Sequence, residues 1–142
     1  AGGRCGVSVA QSLSSHLVPR GLWRAEPDAV VLMVVFASGV PIGEIRGIGR
    51  MPQVLAARWA MAYLLRTLSR LSWPEVADRV RPHGTGHSSV IRMPEMIELA
   101  RQEAGADEAR GSDRNRQARR QALEIVGKVE GQVREMMAGG AA

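Results

Sequence analysis

Cysteine and aromatic residues are scarce in this chain of 142 residues. The one cysteine, Cys5, has no partner for an intrachain disulfide, and no group of Cys and His residues has the spacing of zinc ligands. We therefore expect a fold without disulfide, metal or cofactor. Aromatic residues make up only 4% of the chain, so aliphatic side chains must fill the core. So few aromatic rings also disfavour single-stranded nucleic-acid binding, which relies on base stacking.

Long apolar runs are also missing. The longest run, residues 29–37, is far shorter than the roughly 20 residues of a membrane-spanning helix, and it predicts a short buried helix. No phosphate-binding Gly-x-x-x-x-Gly-Lys-Ser/Thr loop is present. His16, His83 and His87 have no nucleophile or paired carboxylate at a recognisable spacing. We therefore expect a cytoplasmic protein that is not an enzyme.

Positive charge is concentrated in the middle of the chain. Residues 46–92 contain eight arginines against Glu75 and Asp78, a net charge of +6, while the whole chain carries +5. This distribution is expected for a surface that contacts phosphate groups. A solvated arginine-rich face would give the same composition, so charge alone does not decide between the two.

Periodicity and helix-end residues predict helices throughout. A proline before residues 29–37 and a glycine after them are typical of the start and end of a helix. One or two helical turns are expected at 40–45, followed by a flexible basic loop at 46–50 with two glycines. From Gln53 to Arg70, apolar residues recur at steps of three and four and predict a long helix: Val54, Ala57, Met61, Leu64, Leu65 and Leu68.

Two further helices follow. Ser72 and Glu75 have the spacing of a capping box. Counting the long helix that starts at Gln53 as the first, this box predicts a second helix that runs to about Val80. Proline and two glycines at 81–86 break that helix, and a third is expected to start near His87. Two helices joined by a glycine-containing turn indicate a helix-turn-helix, although most helical pairs of this kind are structural.

The C-terminal part predicts one last helix, from about Asp113 to Met137. Its narrow apolar stripe should pack back on the domain or pair with another helix, and is formed by Leu123, Val126, Val129, Val133 and Met137. The expected fold class is thus all-α, a small helical domain with a helix-turn-helix plus a C-terminal amphipathic helix. We predict a loose arm at 1–25, the domain at 26–104, and a linker with the last helix at 105–142.

Three motifs follow one another in the middle of the chain. Residues 57–62 read Ala-Arg-Trp-Ala-Met-Ala, residues 71–76 read Leu-Ser-Trp-Pro-Glu-Val, and residues 86–90 read Gly-His-Ser-Ser-Val. In this order they resemble Arg-Gln-Met-Ala-Met, Ser-Leu-Pro-Glu-Ile and Asp-His-Thr-Thr-Val of the C-terminal DNA-binding domain of the bacterial replication initiator DnaA. The likeness extends over about residues 30–97.

The resemblance implies binding of double-stranded DNA, with the third helix in the major groove and a loop arginine in the minor groove. By position, Arg50 would be the minor-groove arginine, while Arg58 and Arg66 would contact phosphates. His87, Ser88 and Ser89 would face base edges. Ser72 would add a phosphate contact to its capping role. The full set of implied DNA-binding residues is Arg50, Arg58, Arg66, Ser72, Pro74, Gly86, His87, Ser88 and Ser89.

The chain departs from the family pattern near the third helix. Gly86 stands where the family has an aspartate, and the turn before His87 is two residues longer. Pro94 falls in the expected second turn of that helix, where it should kink or end it.

The leading hypothesis is a stand-alone module, of bacterial or phage type and nucleoid-associated, that binds specific duplex sites and regulates replication initiation or transcription. Self-association through the C-terminal helix is a further expectation. The alternative is a dimeric regulator resembling the Trp repressor. A half-site footprint would favour the first reading, and a two-fold symmetric footprint the second.

Overall fold

Helices are the only regular elements in the part of the chain that the computed structural model describes, residues 24–81, 88–104 and 113–140. This confirms the expected all-α class. Residues 1–23 of the arm predicted for 1–25, and the linker residues 105–112, lie outside these residues. The arm prediction is wrong at Ala25, which is buried in the core and whose N–H donates to the Leu68 carbonyl at 2.8 Å. The helices are α1 (Pro27–Ser38), α2 (Ile42–Ile45), α3 (Pro52–Thr67), α4 (Trp73–Val80), α5 (Ser88–Ile91), α6 (Met93–Ala104) and α7 (Asp113–Gly140).

The apolar run at 29–37 forms α1, as predicted. Pro27 occupies the first turn, and the carboxylate of Glu26 accepts the backbone N–H of Asp28 at 3.3 Å. Gly39 ends the helix with a φ of 72°, a left-handed conformation that glycine adopts without steric cost, and its N–H donates to the Val35 carbonyl at 2.9 Å. No described helix, α1 included, is both long and apolar enough to cross a membrane.

The long helix α3 forms the centre of the core and packs against α1, α2, α4, α6 and α7. Five of the six residues of its predicted stripe are buried, and Leu68 is half-buried against them. The helix ends at Thr67, three residues before the predicted end at Arg70. Arg70 itself has a φ of 55°, in the left-handed region that no helix continues through. The chain turns there into α4.

The C-terminal helix α7 packs back along α3, which is one of the two arrangements that its stripe predicted. Val126, Val129 and Val133 are buried in the common core, and Leu123 and Met137 pack at its edge. A buried ion pair of 2.6 Å between Arg119 and Glu103 joins α7 to α6. Because the stripe is covered by the chain's own core, it offers no free apolar seam to a second copy. Self-association stays a prediction that would need another surface.

The break expected at Pro94 is present. Helix α5 ends at Ile91 and α6 begins at Met93, so that Pro94 lies in the first turn of a new helix. A first-turn residue needs no N–H donor, which is why proline is tolerated there. The third helix that the sequence predicted is therefore α5, which has only four residues and is held to the core by Val90.

Candidate nucleic-acid interface

A single buried arginine holds the basic loop between α2 and α3. Arg58 is 2% exposed, and its Nε donates to the Ile45 carbonyl at 2.8 Å. Its Nη2 donates to the carbonyls of Gly47 at 2.9 Å and Gly49 at 3.0 Å, with a longer contact of 3.4 Å to that of Glu44. The two glycines predicted a flexible loop. The structure instead shows a loop whose carbonyls are fixed by one guanidinium.

This arrangement changes the role of Arg58. The resemblance implied a phosphate contact, which stays a prediction, but in this structure the guanidinium is buried and already bonded to four carbonyls. Arg58 is therefore a positioning residue for the loop in this structure. Its place in the helix could not reveal this, because the carbonyls that it binds come from a different segment of the chain.

Gly47 shows how tightly the loop lies against α2. A Cβ atom at this position would be 3.2 Å from the carbonyl oxygen of Gly43. The sequence indicated that the loop glycines permit close approach of the backbone to a partner, and at Gly47 that partner is the chain's own helix. A side chain there would require the loop or α2 to shift by a few tenths of an ångström.

An open groove of about 590 Å³ lies between the basic loop, the end of α4 and α5. Arg50, Arg81 and Ser89 line it together with Arg58, and Asn115 of α7 completes one side. Both Arg50 and Ser89 are exposed. Arg50 of the loop and Ser89 of α5 therefore line the same groove, although the two are far apart in sequence.

The charges around this groove are of one sign. Burial lowers the pKa of the Arg58 guanidinium from its ordinary value, and the positive charges of Arg81 and Arg50 lower it further. All three cations line the same groove, which brings their charges close enough to interact. An anion in the groove would relieve that repulsion, so the arrangement favours a negatively charged ligand.

Arg66, in the last turn of α3, is not among the residues that line the groove, and its side chain packs against the start of α4. Its guanidinium carbon is 4.2 Å from the centroid of the Trp73 ring, and its Nη1 donates to the Leu71 carbonyl at 2.8 Å. These contacts fix the side chain on the turn between α3 and α4. The phosphate contact implied for Arg66 stays a prediction.

Ser72 and Glu75 form the predicted capping box. The Ser72 hydroxyl accepts the Glu75 N–H at 3.4 Å and donates to Oε1 of Glu75 at 2.8 Å, while the Ser72 N–H donates to the same oxygen at 3.0 Å. Pro74 is exposed in the first turn of α4. The capping role of Ser72 is thus confirmed, and DNA contacts by Ser72 and Pro74 remain predictions.

Substituting Ser72→Ala should raise the pKa of the Glu75 carboxyl toward its ordinary value of 4.5. That pKa is lowered first by the backbone N–H of Ser72 and then by the Ser72 hydroxyl, with smaller contributions from Arg24 and Arg79. Loss of the hydroxyl also removes the cap and should cost about 1 kcal/mol of stability near neutral pH. An NMR titration of the Glu75 side chain measures the shift.

The pH dependence follows from the sign of that shift. Because the pKa of Glu75 is lowered in the folded state, its contribution to stability is present above pH 4.5 and is lost as the pH falls through the lowered value. The stability difference between the wild type and Ser72→Ala should therefore shrink in acid. An unchanged Glu75 titration in the variant would contradict this account.

Two arginines at or beside the groove were not among the predicted residues. Arg81, at the C-terminal end of α4, lines the groove. Arg46 donates from Nη2 to the Asp78 carbonyl at 3.4 Å and links the basic loop to α4. The available signal for Arg81 was its place directly before the turn that leads to the third helix.

The remaining predicted residues are described only in part. Gly86 and His87 lie outside the described residues, and only the backbone of Ser88 is described, as the first residue of α5. Their predicted contacts with base edges remain predictions.

Fold and groove together define a small all-helical protein with a positively charged groove between a fixed loop and a short helix. Part of the chain is similar to the chromosomal replication initiator protein DnaA of two strains of Thermus thermophilus. In both cases 99 residues are 32% identical, which covers 68% of this chain and 22% of the relative. The chain thus spans about a fifth of the length of these relatives. No family model and no solved structure matches it. The comparison shows that the chain is related to DnaA over this stretch.

Proposed function

We propose that this chain is a double-stranded DNA-binding module corresponding to the C-terminal DNA-binding domain of DnaA, with α4 and α5 as its helix-turn-helix. The observation that carries the proposal is the groove in which Arg50, Arg81 and Ser89 meet. A protein that reads duplex DNA needs positive charge for the phosphates beside short polar side chains for the bases, and this groove has both.

The proposal gives each element a place on the duplex. Helix α5 would enter the major groove with exposed Ser89, while Arg50 of the basic loop would reach the neighbouring minor groove. One phosphate backbone separates these two DNA grooves, so it would pass between the loop and α5. Arg81 lines that passage and would contact its phosphates. The fixed loop is important here because it sets the distance between the two contacts.

The biological role that fits such a module is occupancy of DNA sites that control replication initiation or transcription. We assign it no catalytic step, because its described groove combines only cations, a serine, an asparagine and apolar side chains. Recognition of duplex DNA then accounts for the concentration of arginine in residues 46–92.

Substituting Arg50→Ala or Arg81→Ala should weaken binding to duplex DNA roughly tenfold, since each removes a charge-assisted hydrogen bond to phosphate or to a base edge in the minor groove. If Arg81 contacts phosphate, its loss should also lower the slope of log affinity against log salt by about one unit for every duplex sequence. Fluorescence anisotropy with a labelled duplex at several salt concentrations measures both quantities.

Two matched variants make this test specific. Arg134→Ala removes the same charge from an exposed position on α7, which lies 19 residues or about 28 Å along the helix from Asn115 at the groove. It should leave affinity nearly unchanged. Ser89→Ala should weaken binding to a site selected from random duplexes by about 1–3 kcal/mol, and it should weaken binding to random DNA far less. Equal losses of duplex affinity in Arg134→Ala and Arg81→Ala would show that net charge alone drives binding.

A further inference from the structure

Ile48 has one of the most exposed large apolar side chains in the described part of the chain. It is 87% exposed at the tip of the basic loop, between Arg46 and Arg50. Isolated apolar side chains on a surface are common, so exposure alone carries no conclusion. What distinguishes Ile48 is its position on a loop that is both positively charged and held in place.

The loop cannot readily turn Ile48 inward. The carbonyls on either side of it, those of Gly47 and Gly49, accept hydrogen bonds of 2.9 and 3.0 Å from buried Arg58. The Gly47 N–H also donates to the Glu44 carbonyl of α2 at 3.1 Å, which holds the loop backbone against that helix. Burying the Ile48 side chain within the chain would break these contacts, so the side chain stays exposed at the tip of the loop.

The surrounding charge indicates the chemistry of that partner. Arg50, two residues away, lines the positively charged groove with Arg81, and this charge favours a polyanion as the partner of the loop. The apolar surface that a nucleic-acid duplex can offer to a loop in its minor groove is the stacked faces of its bases. Proteins that bind the minor groove insert aliphatic side chains such as Ile between base pairs, which unstacks the step and bends the duplex.

We infer that Ile48 is a wedge that enters a base step in the minor groove of the bound duplex, next to Arg50, so that binding bends the DNA. This inference rests on the proposed function of the chain. The flanking glycines lack Cβ atoms, which lets the loop backbone come close to the sugar–phosphate edges. Pyrimidine–purine steps unstack most easily, so the wedge gives the protein a preference for TA or CA at that step.

The inference is tested with the full chain and duplexes that carry a selected site. A fluorophore pair at the two DNA ends reports bending by energy transfer, and 2-aminopurine at the flanking step reports unstacking. The wild type should shorten the end-to-end distance and raise the 2-aminopurine signal. Ile48→Ser should bind severalfold more weakly, leave the duplex straight, and lose the preference for TA over AA at that step.

Phe36→Ser is the matched control, because Phe36 is 82% exposed but lies on α1, where it faces grooves beside α7. It should bend DNA as the wild type does. Ile48→Met keeps an aliphatic side chain and should retain the bend, which separates insertion from any effect on the fold.

Three outcomes would overturn the wedge. Bending and unstacking by Ile48→Ser equal to the wild type would overturn it while leaving DNA binding intact, and so would a wild-type complex with straight DNA. If the wild type bound no duplex at all, the proposed function would fail and the wedge with it.

Discussion

Substituting Arg58→Met should loosen the basic loop and weaken binding to every duplex by more than tenfold, although it removes only one charge. Two carbonyls at the end of α2 and two in the loop lose a charged donor, and we expect a loss of about 2–4 kcal/mol in the free energy of unfolding. Arg50 and Ile48 then lose their fixed positions, so binding falls through disorder of the loop. Urea denaturation measures the loss of stability, and fluorescence anisotropy measures the loss of duplex binding. Hydrogen exchange of the loop amides shows whether the loop becomes disordered in the variant, which would link the two losses.

Arg58→Lys is the control for charge. Lysine retains the positive charge but cannot bond in a planar fork to carbonyls on several sides, so loop order should still be lost. Full stability and binding in Arg58→Lys would refute the positioning role. A normal stability of Arg58→Met, with the salt slope reduced by about one unit, would instead support the phosphate contact that the family resemblance implied.

Placing a carboxylate in the interface between α3 and α7 should unfold the chain. Val129 is fully buried, and an unpaired charge at such a site costs more than about 4 kcal/mol, comparable with the whole stability of a small domain. Val129→Asp should therefore lose its cooperative thermal transition in circular dichroism, and duplex binding should be lost with the fold.

The adjacent residue provides the control, since Lys128→Asp introduces the same carboxylate at an exposed position of α7. Its effect on stability should stay within about 0.5 kcal/mol. A folded, DNA-binding Val129→Asp would show that residues 26–104 form a domain that needs no α7, as the sequence predicted. A loss of folding would make α7 part of that domain.

Local signals predicted most of the helices. Pro27 and Gly39 mark the two ends of α1, the Ser72–Glu75 capping box starts α4, and Pro94 marks the break between α5 and α6. Each depends on contacts within a few residues of the chain, such as an orphan N–H that a nearby side chain can accept. This is why the sequence alone was sufficient to place them.

The roles of the arginines were decided by tertiary structure. The sequence placed Arg50, Arg58 and Arg66 on one basic segment, but only the packing of α2 against α3 buries Arg58 beneath the loop. Arg81 joins the groove because α4 and α5 pack together there. A guanidinium serves equally well as a buried clamp or as a phosphate contact, and the choice depends on which carbonyls another segment brings near it.

By itself, then, the sequence of this protein determined its all-α class, both ends of α1, the start of α4, the break at Pro94 and the arginine-rich centre, since these depend on neighbours within one or two turns. Only the tertiary structure decided that α7 completes the core, that Arg58 fixes the loop, and that Arg50, Arg81 and Ser89 share one groove. Those three features depend on contacts between residues far apart in the chain, which form only when the apolar faces of the helices pack together.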